Sequence, residues 1–349
     1  MSKVNNFLSY YKLQKEKIDQ SLVVFNNSLI DSNPFLNKNF SYFKNLNSDG
    51  KNIRGVLVTL GYHLLQDDMD YSIPLATAYE IFQTAILIHD DIIDKDDKRR
   101  EKETIHKKIF DEYKDSHLGN SIALCMGDYG LYSANKVIST SYKNNKNLGK
   151  ILNYFNDTVL NTIKGEMLDV ILPIESKKKK ISSEELEKNI QEIYRLKTSH
   201  YTIIGPLCAG LLLGDAKDSF IEDITKFGEK VGIAFQIQDD ILGIYSNNMG
   251  KIKGSDMKEY KQTILFSHII NTIYKEEFLE IYGTEELSEE KIEKVKRLLE
   301  KSGSKQYAID KMNQFYDEST NILDNIDWLD SSKKELLRGF VEYLRNRNK

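Results

Sequence analysis

Apolar positions recur along most of this chain at helical spacing, and nowhere do they alternate over a run long enough to make a set of strands. The period of 3.6 predicts helices over residues 75–93, 122–138, 151–171, 186–213, 221–245, 260–273, 292–299, 307–323 and 333–345. Polar stretches at 67–72, 144–149, 175–183 and 247–255 break the pattern, and none is long enough to link separate domains. Only four prolines occur in 349 residues, which fits long uninterrupted helices. The expectation is one all-α domain over residues 1–349, with helices enclosing a central cavity.

Composition narrows the classes. The formal charge is −4 with acids and bases mixed throughout, so no basic face points to nucleic acid. The first twenty residues lack the apolar centre of a signal peptide, and no stretch has the roughly 18 to 20 apolar residues of a transmembrane helix. A cytoplasmic protein is expected. Cys125 and Cys208 both stand in apolar surroundings, which predicts core residues in a reducing compartment. The lysine run at 177–180 reads as a solvated loop.

The chemistry concentrates at residues 86–100, ILIHDDIIDKDDKRR. On a helix Asp90 and Asp94 project from one face, with Asp91 beside them. Carboxylates that close repel one another unless a cation joins them, and a hard divalent ion with open positions suits such oxygens. Arg99 and Arg100 follow within reach of any phosphate those ions hold. A second acid pair, Asp239 and Asp240 in FQIQDDILGIY, again ends an apolar helical run. Two such helices facing across a cavity would clasp one diphosphate. At GKNIR, Lys51 and Arg54 can project together at the entry to a helix, whereas Lys197, Thr198, Lys251 and Lys261 taken singly read as ordinary surface.

Order and spacing make these groups into a resemblance. GKNIR, EIFQTAILIHDDIID with its two arginines, TIH at Thr104, GDYGLYSA from Gly127, GEMLD from Gly165, KTS from Lys197, FQIQDDILG from Phe235, and GK at Gly250 with SDMKEYKQT follow one another as in the trans-isoprenyl diphosphate synthases, or polyprenyl synthetases. The resemblance, closest in type to geranylgeranyl diphosphate synthases, implies a helical fold of the isoprenoid synthase type, usually dimeric. Such enzymes condense isopentenyl diphosphate with an allylic diphosphate (dimethylallyl, geranyl or farnesyl). Asp90, Asp91 and Asp94 match the first aspartate-rich motif and Asp239 with Asp240 the second, which together imply three Mg²⁺ ions. Arg99, Lys197, Lys251 and Lys261 match contacts to the allylic diphosphate, and Lys51, Arg54, Gln83 and Arg100 match the isopentenyl diphosphate pocket. Thr198 and Gln236 match the groups whose oxygens face the developing cation.

The chain departs from the family pattern at several points. Gly243 replaces a third aspartate in the second motif, Glu101 and Glu103 replace a glycine and a proline after the arginine pair, Asn52 replaces a basic residue, and Glu166 stands where glutamine is commoner. The Glu101 and Glu103 changes put the loop after Arg100 in question, and Asn52 bears on isopentenyl diphosphate binding. Product length rests on Ile86, Ala85 and Phe82, which precede Asp90 by four, five and eight places. The resemblance implies that farnesyl-type members close the tunnel with an aromatic side chain at the nearer positions, where Ala85 and Ile86 close it less tightly. Phe82 lies about one turn deeper, close to one isoprene unit, and with Phe82 as the floor a twenty-carbon product is expected. Farnesyl or longer-chain synthesis, a terpene cyclase and a regulatory subunit are the alternatives. The cyclase would not need the isopentenyl pocket, and the subunit would not be expected to keep both acid clusters.

Overall fold

The computed structural model describes residues 3–178, 181–246, 255–284 and 287–347. The described residues are helical nearly throughout. In order they form α1 (Lys3–Ser28), α2 (Pro34–Ser48), α3 (Ile53–His63), a 3₁₀ turn (Met69–Ser72), α4 (Ile73–Ile93), the two-residue strands β1 (Lys98–Arg99) and β2 (Lys102–Glu103), α5 (Ile105–Tyr113), α6 (Ser116–Ser141), α7 (Leu148–Lys178), α8 (Ser183–Ile193), a π-helical segment (Tyr194–Ile204) and α9 (Gly205–Leu213). Then come α10 (Asp218–Tyr245), α11 (Ser255–Lys258), α12 (Ile264–Ile269), α13 (Lys275–Leu279), α14 (Glu289–Lys301), α15 (Ser304–Asp324) and α16 (Ser331–Arg345).

The chain divides into two compact units. The first comprises residues 1–156, 205–224 and 328–339. Its core is α4, whose Leu75, Ala76, Ala78, Tyr79, Ile81, Phe82 and Ala85 are fully buried. A helix apolar on every side must be surrounded, and α4 packs against α1, α2, α3 and α6. Helix α3 meets α9 backbone to backbone, because a Cβ on Gly61 would stand 2.0 Å from the Leu207 carbonyl oxygen.

The second unit comprises residues 157–204, 225–327 and 340–349. Its distinctive element is the π-helical segment, in which residues five apart stack. Ser199 Oγ donates to the Tyr194 carbonyl at 3.2 Å, and Arg195 Nη1 donates to His200 Nε2 at 3.2 Å. Burial, with the Arg195 charge adding to it, pulls the His200 imidazole down to about 4 from 6.5. The folded protein therefore holds His200 neutral while the unfolded chain protonates it, so this site destabilises the fold as pH falls from 6.5 toward 4. At about 1.4 kcal/mol per pH unit, wild type should lose roughly 2 kcal/mol more than His200→Gln between pH 7 and pH 5. Denaturant unfolding of both proteins at the two pH values checks this; equal losses would contradict it.

Several expectations shift. Residues 186–213 are helical as the periodicity predicts, but the middle winds as π. The helix expected over 260–273 is confined to Ile264–Ile269, because Thr263 adopts an extended N-cap whose hydroxyl accepts the Phe266 amide at 3.3 Å. The break expected from residue 175 starts later, since α7 runs on to Lys178. Cys125 is exposed on α6, not a core residue, whereas Cys208 is buried.

Candidate active site

In the first unit the site is built on the end of α4. Asp94 caps that helix, Lys95 turns into the left-handed region at φ 56°, its amide bonds the Ile92 carbonyl at 3.4 Å, and the Asp96 amide returns to the Asp91 carbonyl at 3.0 Å. This Schellman closure gathers Asp90, Asp91 and Asp94 at the end of the helix where the dipole is already negative. Such an arrangement requires a cation, and Arg99 supplies one. Its Nη2 lies 2.7 Å from Asp90 and 3.7 Å from Asp96, and its Nε donates to Asp91. Asp91 is buried, which pushes its carboxyl up to about 7 against the pull of Arg99. The Thr104 hydroxyl, donating to the Asp96 carbonyl at 2.8 Å, ties down the loop between them.

Arg99 is held in place by the β1–β2 hairpin, in which Lys98 pairs with Glu103 and Arg99 with Lys102. Its two-residue turn is Arg100 and Glu101, at φ 52° and 65°, the twist that suits antiparallel strands. Without glycine this conformation costs about 1 to 2 kcal/mol per residue, so the hairpin keeps a geometry that glycine would adopt unstrained.

The expected isopentenyl diphosphate residues share a buried acid that the motif reading missed. Glu80 accepts the Gly55 amide at 2.6 Å at the start of α3; burial pushes its carboxyl up, opposed by that bond and by Arg54 and Arg100. Asn52, the departure from a basic residue, is buried and left-handed at φ 54°, and donates to Asp19 at 2.5 Å. It shapes the turn that presents Lys51 and Arg54. Gln83 and Ile86 are partly exposed on α4, while Ala85 is buried. Phe82 is fully buried, its ring edge-on to Tyr79 at 6.3 Å and to Phe155 at 5.4 Å.

In the second unit Lys197 and Thr198 ride on the π-helical segment. A Cβ on Gly165 would lie 2.4 Å from the Lys197 amide nitrogen, so this glycine lets α7 press directly against the lysine backbone. Lys197 Nζ then sits 2.7 Å from both Glu166 and Asp169, which gives Glu166 a partner, and Lys261 lies 4.0 Å from Asp169. Thr198 Oγ1 donates to Gln236 Oε1 at 2.5 Å, and Gln236 Nε2 donates to Asp240 Oδ1 at 2.9 Å. Asp240 is buried, whereas Asp239 retains 29% of its side-chain exposure and pairs with Arg347. Arg347 also covers the Phe235 ring at 4.5 Å, and burial lowers its guanidinium to about 10. Gln238 fixes this tail by donating to the carbonyls of Arg345 and Arg347 at 3.2 and 3.0 Å. Lys251 and Gly250 lie outside the described residues, and α10 continues unbroken past Gly243.

Across both units the acids carry protein cations: Arg99 on Asp90 and Asp91, Lys197 on Glu166 and Asp169, Arg347 on Asp239. An all-α protein furnished in this way has the donors for a hard divalent cation and for a polyanionic ligand. The family model for polyprenyl synthetase matches residues 34–299, and the chain belongs to that family, whose members are prenyltransferases. It is 29% identical over 305 residues to a geranylgeranyl diphosphate synthase of Methanosarcina mazei, covering 86% of this chain and 87% of that one. It is 30% identical over 264 residues to a farnesyl diphosphate synthase of Bacillus subtilis, covering 74% and 83%. A geranylgeranyl pyrophosphate synthase of Corynebacterium glutamicum, solved with isoprenyl diphosphate and magnesium, has the same fold with a TM-score of 0.85 at 23% identity, over 97% of this chain and 98% of that one.

Proposed function

We propose that this chain is a geranylgeranyl diphosphate synthase, working as one catalytic domain that couples isopentenyl diphosphate head to tail with dimethylallyl, geranyl or farnesyl diphosphate. The observation that carries this reading is the cation-compensated acid cluster at the end of α4, in a polyprenyl synthetase whose relatives include synthases named for the twenty-carbon product. Asp90, Asp91 and Asp94, with Asp239 from the second acid pair, would hold three Mg²⁺ ions. The metal, when bound, draws charge from the departing diphosphate. Arg99, Lys197, Lys251 and Lys261 bind that diphosphate, and Lys51, Arg54, Gln83 and Arg100 bind the isopentenyl diphosphate. Thr198 donates its hydroxyl hydrogen bond to Gln236, so its oxygen lone pairs remain to face the allylic cation. The isopentenyl double bond attacks that cation, and the proton lost from the adduct leaves with the released diphosphate. Holding both substrates in line contributes about 7 to 11 kcal/mol at best.

Labelled isopentenyl diphosphate supplied with each allylic primer, with and without Mg²⁺, should give a Mg²⁺-dependent C20 diphosphate. A product formed from a prenyl diphosphate without isopentenyl diphosphate would favour a cyclase instead. Phe82 forms the floor of the product tunnel, so Phe82→Ala should shift the product toward C25 and longer; an unchanged chromatographic profile would remove Phe82 from that role.

The enzyme acts as a homodimer in the cytoplasm. Helix α7 exposes an apolar stripe of Leu160, Ile163, Met167, Val170, Ile171 and Ile174, at the spacing of one helix face. Placing lysines at Met167 and Ile171 should halve the mass measured by light scattering; an unchanged mass would clear α7. Among the described residues no helix is long and apolar enough to cross a membrane.

A further inference from the structure

Tyr194 opens the π-helical segment and is buried, 46 residues before its principal partner. Its hydroxyl donates to Asp240 Oδ2 and accepts the Ile264 amide at 3.1 Å. A phenol has one proton to give, and this one is engaged at both ends. The single oxygen thus joins three stretches that carry candidate site residues: the π-helical segment with Lys197 and Thr198, α10 with Asp239, and the approach to α12, where Lys261 lies three residues before Ile264.

The other oxygen of Asp240 completes a ring. It accepts Gln236 Nε2 at 2.9 Å, Gln236 Oε1 accepts the Thr198 hydroxyl at 2.5 Å, and Thr198 returns to Tyr194 through one turn of backbone. Both Asp240 oxygens therefore have donors within the protein, and its carboxylate is buried. Asp239, about 100° further round the same helix, remains partly exposed.

Resting on the prenyltransferase reading above, we infer that Tyr194 is a positioning residue which, by clamping Asp240, sets Asp239, Thr198 with Gln236, and Lys261 for the reaction, and that Asp240 serves as the acceptor of this clamp and not as a metal ligand. Phenylalanine at 194 keeps the ring and removes only the hydroxyl, leaving Asp240 and the Ile264 amide short of a partner.

The test is a double-mutant cycle of Tyr194→Phe and Asp240→Asn, with Mn²⁺ binding in the presence of inorganic pyrophosphate counted by electron paramagnetic resonance beside steady-state kinetics. Tyr194→Phe should lower kcat by about tenfold to hundredfold and weaken Mn²⁺ binding, with the number of ions and the KM for isopentenyl diphosphate unchanged. The double variant should be no worse than the poorer single one, because one residue acts through the other. Additive losses, or a Tyr194→Phe protein equal to wild type, would overturn the inference. If Tyr194→Phe does not fold, Asp240→Asn decides alone: a full complement of more weakly held Mn²⁺ supports the clamp, and the loss of one ion overturns it. Wild type that makes no prenyl diphosphate would sink the functional reading, while the ion count would still test the clamp.

Discussion

Asp90→Asn should lower kcat by about a thousandfold, near 4 kcal/mol of transition-state stabilisation, and raise the Mg²⁺ concentration for half-maximal rate. The replacement keeps shape and backbone and takes away one negative charge from the end of α4. In the metal-free protein that loss should be almost silent. Asparagine still offers an oxygen to Arg99 Nη2, now 2.7 Å from Asp90, and repulsion from Asp91 falls. The expected signature is a crippled enzyme with an unchanged unfolding temperature in chelator. Incorporation of labelled isopentenyl diphosphate and thermal unfolding measure the two halves, and a rate within tenfold of wild type would refute the assigned role.

Arg99→Met should produce the opposite emphasis, a loss of about 3 kcal/mol in folding stability as well as activity. Methionine fills much of the same space but leaves Asp91 and Asp96 buried beside Asp90 with no guanidinium among them. The pH dependence follows from Asp91, already raised from 3.8 to about 7 by burial, with Arg99 the main influence opposing it. A carboxyl whose folded value lies above its unfolded value binds its proton better in the folded state, so its contribution to stability is present in acid and is lost as pH rises. Without Arg99 the folded value climbs further and the loss extends to higher pH. The variant should therefore be closer to wild type at pH 5 than at pH 8, as read from denaturant midpoints; a gap independent of pH would show that Arg99 acts by packing alone.

Much of this was legible in the residues. The apolar run into Asp90 predicts α4 almost to its ends, because a helix buried along most of its length shows in any window. Helices α1, α2 and α3 were not singled out; α1 buries polar residues such as Gln14 and Asn26, which blurs its stripe. Periodicity also could not reveal the π-helical winding, since the same apolar residues satisfy either helix. Within the site, residue types announced the acids and cations, but their pairings depend on tertiary neighbours. Nothing near Glu80 in sequence marks it as the acid beside Arg54 and Arg100, and Glu166 acquires meaning only once α7 meets Lys197. Cys125 misled for a related reason: its neighbours are apolar, yet Leu124 is itself exposed.

The winding between Tyr194 and Ile204 bears on how this chain is matched to its kin. Each i to i+5 closure takes up one residue more than an α-turn, so a relative that spans the same distance as plain α-helix does so with a shorter stretch of chain. A gap falling between Lys197 and Gly205 in a pairwise alignment would then record a change of helical pitch, and the lysine–threonine pair is best registered from the Tyr194 side.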